Sequence, residues 1–244
     1  IYTQAYTLSL HDALPISVQR AGRLVGEGQA SEAIAMVEAA GDAGDAEALM
    51  QLAVWHLAGS IVPRDLLAAR ALLRRAVEIG HVDAALMEIA LVANGSGAPT
   101  DWPSAVELLR RASPGDPVAA AQLELLGTMR LDASGYPLSP PVGRQIGSEP
   151  RVTLFPGFLT PAECQHLARV SADRMEPAMI ADPDTGELRR HPIRTSDYAL
   201  IGPANEDLVT GAINRRIAAI SETETGQGEA LNILRYAPGQ QYRL

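Results

Sequence analysis

Histidine and carboxylate side chains are the residue types in this sequence that could bind a transition metal together. The sequence contains five histidines and one His-x-Asp pair, His81-Val82-Asp83. A strand would place both side chains of such a pair on one side, but this pair begins a predicted helix within an internal repeat. We expect His56 in a repeat helix, His166 on a helix surface and His191 in a loop. The sequence therefore predicts no metal ligand and no catalytic residue within these 244 residues.

Two tyrosines stand on either side of a predicted turn near the end of the sequence. Residues 230–236 alternate between apolar and polar types, which predicts a strand with one apolar face. In the following Ala237-Pro238-Gly239-Gln240, proline is second and glycine third, as in a type II turn. Residues 241–244 are then expected to begin a second strand. Tyr236 and Tyr242 thus carry their hydroxyls just before and just after the turn.

Several elements must position these residues. Thr160-Pro161-Ala162-Glu163 predicts a helix start with a capping box, and the helix is expected to bury Cys164, Leu167, Ala168 and Ser171. Strands are expected over 178–180 and 193–201, around a turn at 182–186. A further helix, capped by Asn205, is expected to bury Val209, Ile213, Ile217 and Ile220. This order of strands and helices predicts an α+β domain over 151–244.

Four segments resemble, in the same order, those of prolyl 4-hydroxylase-like oxygenases that use Fe(II) and 2-oxoglutarate. They are Phe158–Cys164 (FLTPAEC), Arg194–Ser196 (RTS), Asn214–Ile217 (NRRI) and the segment Glu229–Tyr242, which reads E-x-L-x-x-L-R-Y-x-P-G-Q-x-Y. The resemblance implies an incomplete double-stranded β-helix, or jelly-roll, over 151–244. The family's iron-binding His-x-Asp would begin directly after Leu244, so these 244 residues are expected to be inactive on their own.

The resemblance also implies cofactors and roles for individual residues. The family uses Fe(II), 2-oxoglutarate and ascorbate. The Tyr236 hydroxyl would help to hold the 2-oxoglutarate carboxylate, whereas Tyr242, Arg194 and Ser196 would contact a peptide or protein substrate. The simpler alternatives are amphipathic core tyrosines and, for Arg194, a surface charge.

The first half of the sequence repeats with a period of 36 residues. Such a period indicates stacked supersecondary units that bury their apolar faces against each other. Each unit reads as a helical hairpin, with Gly59 to Pro63 as a turn and Asp65 as the cap of the second helix. The identities that define the period are Gly59/Gly95, Ser60/Ser96, Pro63/Pro99, Asp65/Asp101, Ala69/Ala105, Leu72/Leu108, Leu73/Leu109, Arg74/Arg110, Arg75/Arg111 and Ala76/Ala112.

The sequence pattern of these units resembles the Sel1-like repeat, a relative of the tetratricopeptide repeat. It implies an all-α helical-repeat solenoid over 18–130 that could bind a protein partner. The arginine pairs at 74–75 and 110–111 are read either as solvated helix faces or as part of a concave binding groove. The chain as a whole is then multidomain, with the solenoid followed by the jelly-roll domain.

The remaining stretches have other compositions. Residues 1–17 resemble translated sequencing-adapter DNA, and we expect this segment to be non-native, which would leave the true N-terminus and any targeting signal unknown. Residues 131–150 are rich in proline and glycine and predict a linker. The domain boundaries are therefore expected near 17, 130 and 150.

Composition excludes some classes of function. The net charge of −9 gives no overall attraction for nucleic acid or an anionic membrane, so neither is expected as a partner. A single cysteine, Cys164, excludes an internal disulfide and suits a reducing, cytoplasmic location.

Three functions compete. The first is a dioxygenase that hydroxylates a prolyl or similar residue of a peptide, with the repeats recruiting the substrate protein. The second is a protein-binding repeat scaffold with a degenerate oxygenase domain, and the third is an oxygenase for small molecules. The codons after Leu244 discriminate between the first two, because an active enzyme needs a His-x-Asp there and a second histidine further on.

Overall fold

The computed structural model describes residues 16–182, 185–190 and 193–242. Its internal contacts divide the chain into two compact units. The first unit extends to Leu138 and also includes Pro203–Ile213, whereas the second contains Ser139–Gly202 and the chain from Asn214 onward. Of the segment expected to be non-native, only Ile16 and Ser17 lie within the described residues, where they open the first helix.

The first unit contains seven helices among its described residues before Leu138. Helices α2, α4 and α6 begin at 30, 66 and 102, and α3 and α5 begin at 46 and 82, so both series repeat every 36 residues. The predicted helical hairpins are therefore confirmed. The bounds are α1 Ile16–Gly26, α2 Ala30–Asp42, α3 Ala46–Ala58, α4 Leu66–Glu78, α5 Val82–Asn94, α6 Trp102–Ala112 and α7 Pro117–Thr128.

The helix ends follow from capping side chains and glycines. Asp65 Oδ1 accepts hydrogen bonds from the backbone N–H of Leu67 and Ala68, at 3.0 and 2.9 Å, as predicted for this cap. Gly59 and Gly95 lie 36 residues apart and adopt left-handed conformations, with φ of 70° and 76°, directly after α3 and α5. A side chain would strain either position, so these two glycines end equivalent helices in the same way.

The core of the first unit consists of clusters that repeat with the helices. One cluster lies among α1, α2 and α3, and the next among α3, α4 and α5. Leu72 is half-buried and packs against both, which makes the core continuous from one helical hairpin to the next. The first cluster includes Ala33, Val37, Ala48 and Trp55, and 36 residues later the second includes Ala69, Leu73, Ala84 and Leu91.

The two arginine pairs of the repeats lie on solvated faces. Arg74 and Arg75 have largely exposed side chains, and each pairs with a carboxylate, Glu88 at 3.2 Å and Asp42 at 3.3 Å respectively. Arg110 is also exposed and pairs with Glu107 in its own helix. Ion pairs on exposed side chains agree with the interpretation of these arginines as solvated helix faces rather than as part of a binding groove.

The second unit contains small antiparallel sheets. Strands β1 and β2 form one, β4 and β5 another, and β3, β6 and β7 a third in the order β3-β6-β7. Strands β4 and β6 overlap the strands expected over 178–180 and 193–201, but the hairpin around the turn at Asp182 pairs β4 with β5 and not with β6. The bounds are β1 Arg144–Ser148, β2 Arg151–Leu154, β3 Glu176–Pro177, β4 Met179–Ala181, β5 Leu188–Arg190, β6 Asp197–Ile201 and β7 Leu231–Arg235.

Helix α8, Pro161–Ala172, begins at the predicted capping box and buries Leu167 and Ser171 as expected, but the rest of its buried face differs. Cys164 and Ala168 are exposed, and His166 is buried rather than on the surface. The buried residues are spaced three and four apart, as a helix requires, but three of them are polar, so apolar periodicity identified only part of the buried face. The buried residues of α8 are Glu163, His166, Leu167 and Ser171.

Helix α9, Leu208–Ser221, begins in the first unit and ends in the second. The backbone N–H of Thr210 donates to Asp207 Oδ1 at 2.8 Å, so Asp207 rather than Asn205 caps the helix. Val209 and Ile213 are buried as expected, but Ile217 is 37% exposed. A single-turn helix, Thr225–Gln227, follows.

The segment predicted as a linker, residues 131–150, contains paired residues. Leu131 and Pro137 form an isolated antiparallel bridge, and residues 144–148 form β1, which pairs with β2. The three small sheets are antiparallel, as a jelly-roll requires, but the closed jelly-roll itself stays a prediction. None of the helices in residues 16–182, 185–190 and 193–242 combines the length and apolar character needed to cross a membrane.

Candidate functional site

Two of the segments singled out in the sequence lie side by side in the second unit. Arg194 and Tyr242 form an isolated antiparallel bridge. Between them, Thr195 and Gln241 make three hydrogen bonds. The Thr195 N–H donates to the Gln241 carbonyl at 3.3 Å, its Oγ1 hydroxyl donates to the same oxygen at 3.1 Å, and the Gln241 N–H donates to Oγ1 at 3.0 Å. Thr195 therefore fixes the segment 194–196 to the segment 241–242.

The pairing register shows how the chain passes from β7 to Tyr242. In β6 and β7, Asp197 lies opposite Arg235, whereas Thr195 is bonded to Gln241. Five residues, 236–240, thus oppose the single residue Ser196. Residues 236–240 therefore form a loop that bulges out between two paired stretches. Before and after this loop, the chain runs antiparallel to the segment 194–201. Of the second strand expected over 241–244, the described residues show the bridge at Tyr242, and Arg243 and Leu244 lie outside them.

The predicted turn at 237–240 is present within this bulge. The Gln240 N–H donates to the Ala237 carbonyl at 2.9 Å, and the Gln240 side-chain oxygen accepts from the Ala237 N–H at 2.8 Å. Gly239 has a φ of 87°, which explains the glycine at the third position of the turn. Tyr236 and Tyr242 border the bulge with exposed fractions of 41% and 65%, so both present surface to solvent.

Ser196 and Arg194 lie on the segment that pairs with the chain around this bulge. Ser196 is 1% exposed, and its Oγ has no hydrogen-bond partner among the described residues. A buried hydroxyl without a partner is energetically unfavourable in a folded chain. Arg194 is half-buried. The structure thus brings together Arg194, Ser196, Tyr236 and Tyr242, which the sequence separates into two segments.

A salt bridge holds the two strands together at the entrance to the junction. Arg235 donates to Asp197 Oδ2 through its Nη2 at 2.8 Å and its Nε at 3.3 Å. These residues face each other across β6 and β7, where opposite charges stabilise an antiparallel pair. The pair adjoins Ser196 in sequence on one strand and Tyr236 on the other, so it helps to fix both.

Sequence reasoning missed a buried ion pair that joins two of the matched segments. Arg216 Nη2 lies 2.6 Å from Glu163 Oε1, and its Nη1 donates to Glu163 Oε2 at 3.0 Å and to the Phe158 carbonyl at 2.7 Å. The guanidinium also lies 5.7 Å from the centre of the Phe158 ring. The end of α9 is thereby fixed to the start of α8. The signal lay in the motifs, since Glu163 and Arg216 both belong to them.

The same carboxylate closes the capping box of α8. Glu163 Oε2 accepts from the Thr160 N–H at 2.8 Å, and the Glu163 N–H donates to Thr160 Oγ1 at 3.2 Å. Burial alone would raise the pKa of Glu163. The hydrogen bonds from Arg216 and Thr160, with the Arg216 charge, outweigh burial and lower the pKa below its ordinary value of 4.5. Glu163 is therefore a structural anion at neutral pH.

The described histidines make structural contacts. In the part of the chain that the structure describes, no group of three or more His, Cys, Asp or Glu side chains could hold a metal ion. His81 caps α5 by accepting the Ala84 N–H on Nδ1 at 3.0 Å, and its Nε2 lies 3.0 Å from Glu47 Oε1. His166 contacts Arg169 at 3.0 Å, and His191 lies outside the described residues.

Known proteins are similar to parts of this chain. Probable prolyl 4-hydroxylase 7 of Arabidopsis thaliana is 32% identical over 114 residues, which are 47% of this chain and 36% of that protein. Prolyl 4-hydroxylase 2 of the same plant is 32% identical over 105 residues, or 43% of this chain and 35% of that protein. The chain therefore spans about a third of the length of these relatives.

A solved structure is similar over a comparable share of the chain. It is a Sel1 repeat protein from Oxalobacter formigenes, 30% identical, which covers 44% of this chain and 46% of its own, with a TM-score of 0.38. No family model matches the chain. The chain thus resembles prolyl 4-hydroxylases over just under half of its length, and it is also similar to a Sel1 repeat protein.

Proposed function

We propose that the protein to which this chain belongs is an Fe(II)- and 2-oxoglutarate-dependent dioxygenase that hydroxylates a prolyl or similar residue of a peptide or protein. The observation that carries the proposal is the junction at Thr195 and Gln241. It joins Arg194 and Ser196 to the bulge bordered by Tyr236 and Tyr242. The prolyl 4-hydroxylase relatives support the same class of reaction.

The geometry of the junction suits an extended peptide. The exposed phenol ring of Tyr242 offers apolar surface with a polar edge, which suits proline-containing chains. The Ser196 hydroxyl lacks a partner among the described residues, but it is buried and can reach a substrate only if the residues that cover it move. In the proposal, the Tyr236 hydroxyl holds the 2-oxoglutarate carboxylate, whereas Tyr242, Arg194 and Ser196 contact the substrate.

The described residues do not fit an iron centre by themselves. In the proposal, Fe(II) with 2-oxoglutarate supplies the oxygen chemistry, with ascorbate as reductant, and its ligands come from a His-x-Asp after Leu244 and a later histidine. The residues present bind and orient the carboxylate and the peptide, and Thr195 acts as a positioning residue because it contacts neither.

The test is decarboxylation of 2-oxoglutarate with added Fe(II), measured on this chain and on a longer chain that continues through the proposed ligands. We expect turnover only in the longer chain. Replacing the proposed histidine after Leu244 should abolish turnover, and Tyr236→Phe should raise the KM for 2-oxoglutarate. Turnover by these 244 residues alone would refute the assignment of the iron ligands.

Thr195→Val provides a sharper test of the junction. Valine keeps the size and branching of threonine but removes the hydroxyl that both donates to and accepts from Gln241. In the longer chain we expect a higher KM for a proline-rich peptide with a small change in kcat, and faster amide exchange at Gln241. Thr185→Val, in an exposed loop, is the matched control. A lower kcat with an unchanged peptide KM would contradict the positioning role.

The alternative function is a protein-binding repeat scaffold with a degenerate oxygenase domain. It is favoured if the longer chain has no His-x-Asp and no turnover. A cytoplasmic location stays a prediction under either function. Small-molecule oxygenation would show as turnover that peptides neither stimulate nor inhibit.

A further inference from the structure

One unit of the helical repeat binds a segment from much later in the chain. Asn94, the last residue of α5, donates its Nδ2 hydrogen to the Pro203 carbonyl at 2.8 Å. The next residue, Ala204, packs against the buried cluster of α3, α4 and α5. By their contacts, residues 203–213 belong with the repeats, although the sequence assigns them to the C-terminal domain.

The equivalent cluster in the preceding helical repeat, among α1, α2 and α3, is covered in a different way. Ile61 and Val62, in the turn between α3 and α4, pack against the cluster of α1, α2 and α3. The residues 36 positions later are Gly97 and Ala98, which offer much less apolar surface. Ala204 packs against the cluster of α3, α4 and α5. Compared with the preceding repeat, this repeat has smaller side chains in its own turn and is covered by the 203–213 segment instead.

The side-chain amide of Asn94, which donates to Pro203, is also absent from the preceding repeat. The residue 36 positions before Asn94 is Ala58, which has no side-chain amide. Asn94 Oδ1 accepts from the Ser96 N–H at 3.1 Å, which fixes the amide and leaves Nδ2 to donate to Pro203. Three departures from the repeat, at 94, 97 and 98, therefore lie at one helix end and its turn. Together they add a donor and remove bulk, as binding of another segment requires.

We propose that this face of the repeat array is a binding surface whose partner is the chain's own Pro203–Ile213 segment. The face consists of Asn94, the turn 95–98 and the cluster against which Ala204 packs. Its role is to hold the start of α9, where Leu208, Val209 and Ile213 are at most 1% exposed. A foreign peptide can use this face only by displacing the chain's own segment, so the face acts as an internal clamp before it acts as a recruitment site.

The test is amide hydrogen exchange across 208–213 in the full chain. Asn94→Asp keeps the oxygen that accepts from Ser96 but removes the N–H that donates to Pro203. The loss of one such hydrogen bond should accelerate exchange in this segment about two- to tenfold. Ala204→Asp places a charge against an apolar cluster and should accelerate it by more than about tenfold.

Ala58→Asp is the matched control, because it puts the same charge at the equivalent half-buried position of the preceding repeat. It should leave exchange across 208–213 unchanged. Exchange in α3 reports in every variant whether the repeats remain folded. Wild-type rates in both Asn94→Asp and Ala204→Asp, or equal acceleration by Ala58→Asp, would overturn the proposal. The test involves neither iron nor turnover, so its outcome is independent of the proposed oxygenase activity.

Discussion

Individual residues matter in the second unit mainly through buried polar contacts. Glu163 is 2% exposed and accepts hydrogen bonds from both Arg216 and Thr160. A buried carboxylate is stable only where such partners replace water. The pair joins two segments that the sequence presents as separate motifs, and either partner alone would be a buried charge without its counter-charge.

Breaking this pair should have a large and pH-dependent effect. Glu163→Gln leaves the Arg216 charge without its buried counter-charge, so we expect a loss of about 3 to 5 kcal/mol in the opening free energy of α8 at pH 7. Because the pKa of Glu163 is lowered in the folded chain, the contribution is present above 4.5 and is lost as the pH falls through the folded pKa. The difference between wild type and variant should therefore shrink below pH 4.5.

Amide exchange in α8, followed from pH 7 to pH 3, would measure this difference. Glu107→Gln is the control, since Glu107 pairs with Arg110 on an exposed surface, where a loss below about 1 kcal/mol is expected. An equal loss in both variants, or a difference for Glu163→Gln that does not shrink in acid, would contradict the assigned role.

At the scale of elements, the helical repeats could be predicted from sequence and the strand pairing could not. A helix and its caps are local, so Asp65 and Gly59 identify their own helix ends without knowledge of distant residues. Strand pairing depends on distant partners. Nothing local to Leu188–Arg190 shows that β5 rather than β6 pairs with β4. The junction at Thr195 was missed for the same reason, because its partner Gln241 lies 46 residues away.

Apolar periodicity also failed where polar groups are buried. In α8, Glu163, His166 and Ser171 occupy the buried face, while Cys164 is exposed. In α5, Glu88 is buried where the preceding helical repeat has Leu52. Such positions become recognisable only when the partner is known, because a buried charge requires a second group that satisfies it.

The repeat itself offers a substitution that tests the buried pair between α4 and α5. Arg70 Nη2 lies 3.0 Å from Glu88 Oε1, and both residues are buried. The residues 36 positions earlier are Ile34 and Leu52, so the preceding unit packs apolar side chains there. Glu88→Leu alone leaves a buried unpaired arginine and should cost about 3 to 5 kcal/mol. The double variant Arg70→Ile, Glu88→Leu should recover wild-type stability or exceed it by about 1 to 4 kcal/mol.

Urea unfolding of the four proteins in this double-mutant cycle gives the coupling between the two positions. Arg74→Ala is the control, because Arg74 also contacts Glu88 but has a side chain that is 61% exposed. We expect it to cost less than about 1 kcal/mol. Additive losses in the double variant would show that the two positions are independent.

At the scale of the whole molecule, burial is distributed unevenly between the two units. The repeats contain fully buried leucines in successive helices, including Leu49, Leu73 and Leu109. In the second unit, β2, β4 and β5 consist entirely of exposed residues, and β1 has one half-buried residue. Segments with few buried apolar contacts open at lower free energy than a continuous core. The second unit should therefore open locally well before the repeats unfold.

Limited proteolysis with thermolysin, which cuts beside apolar residues, should detect this difference. We expect the first cuts between Ser139 and Leu154, where Val142 is 88% and Ile146 is 58% exposed, while residues 16–138 resist cleavage. Leu73→Ala should remove about 2 to 5 kcal/mol from the repeat core and make α3 to α6 susceptible, without moving the first cuts. Val142→Ser removes an exposed apolar target and should slow the first cut while leaving the repeats as resistant as before. First cuts within α3 to α6 of the wild-type chain would show that the repeat core is the weaker part, because cleavage reports the segment that opens most readily.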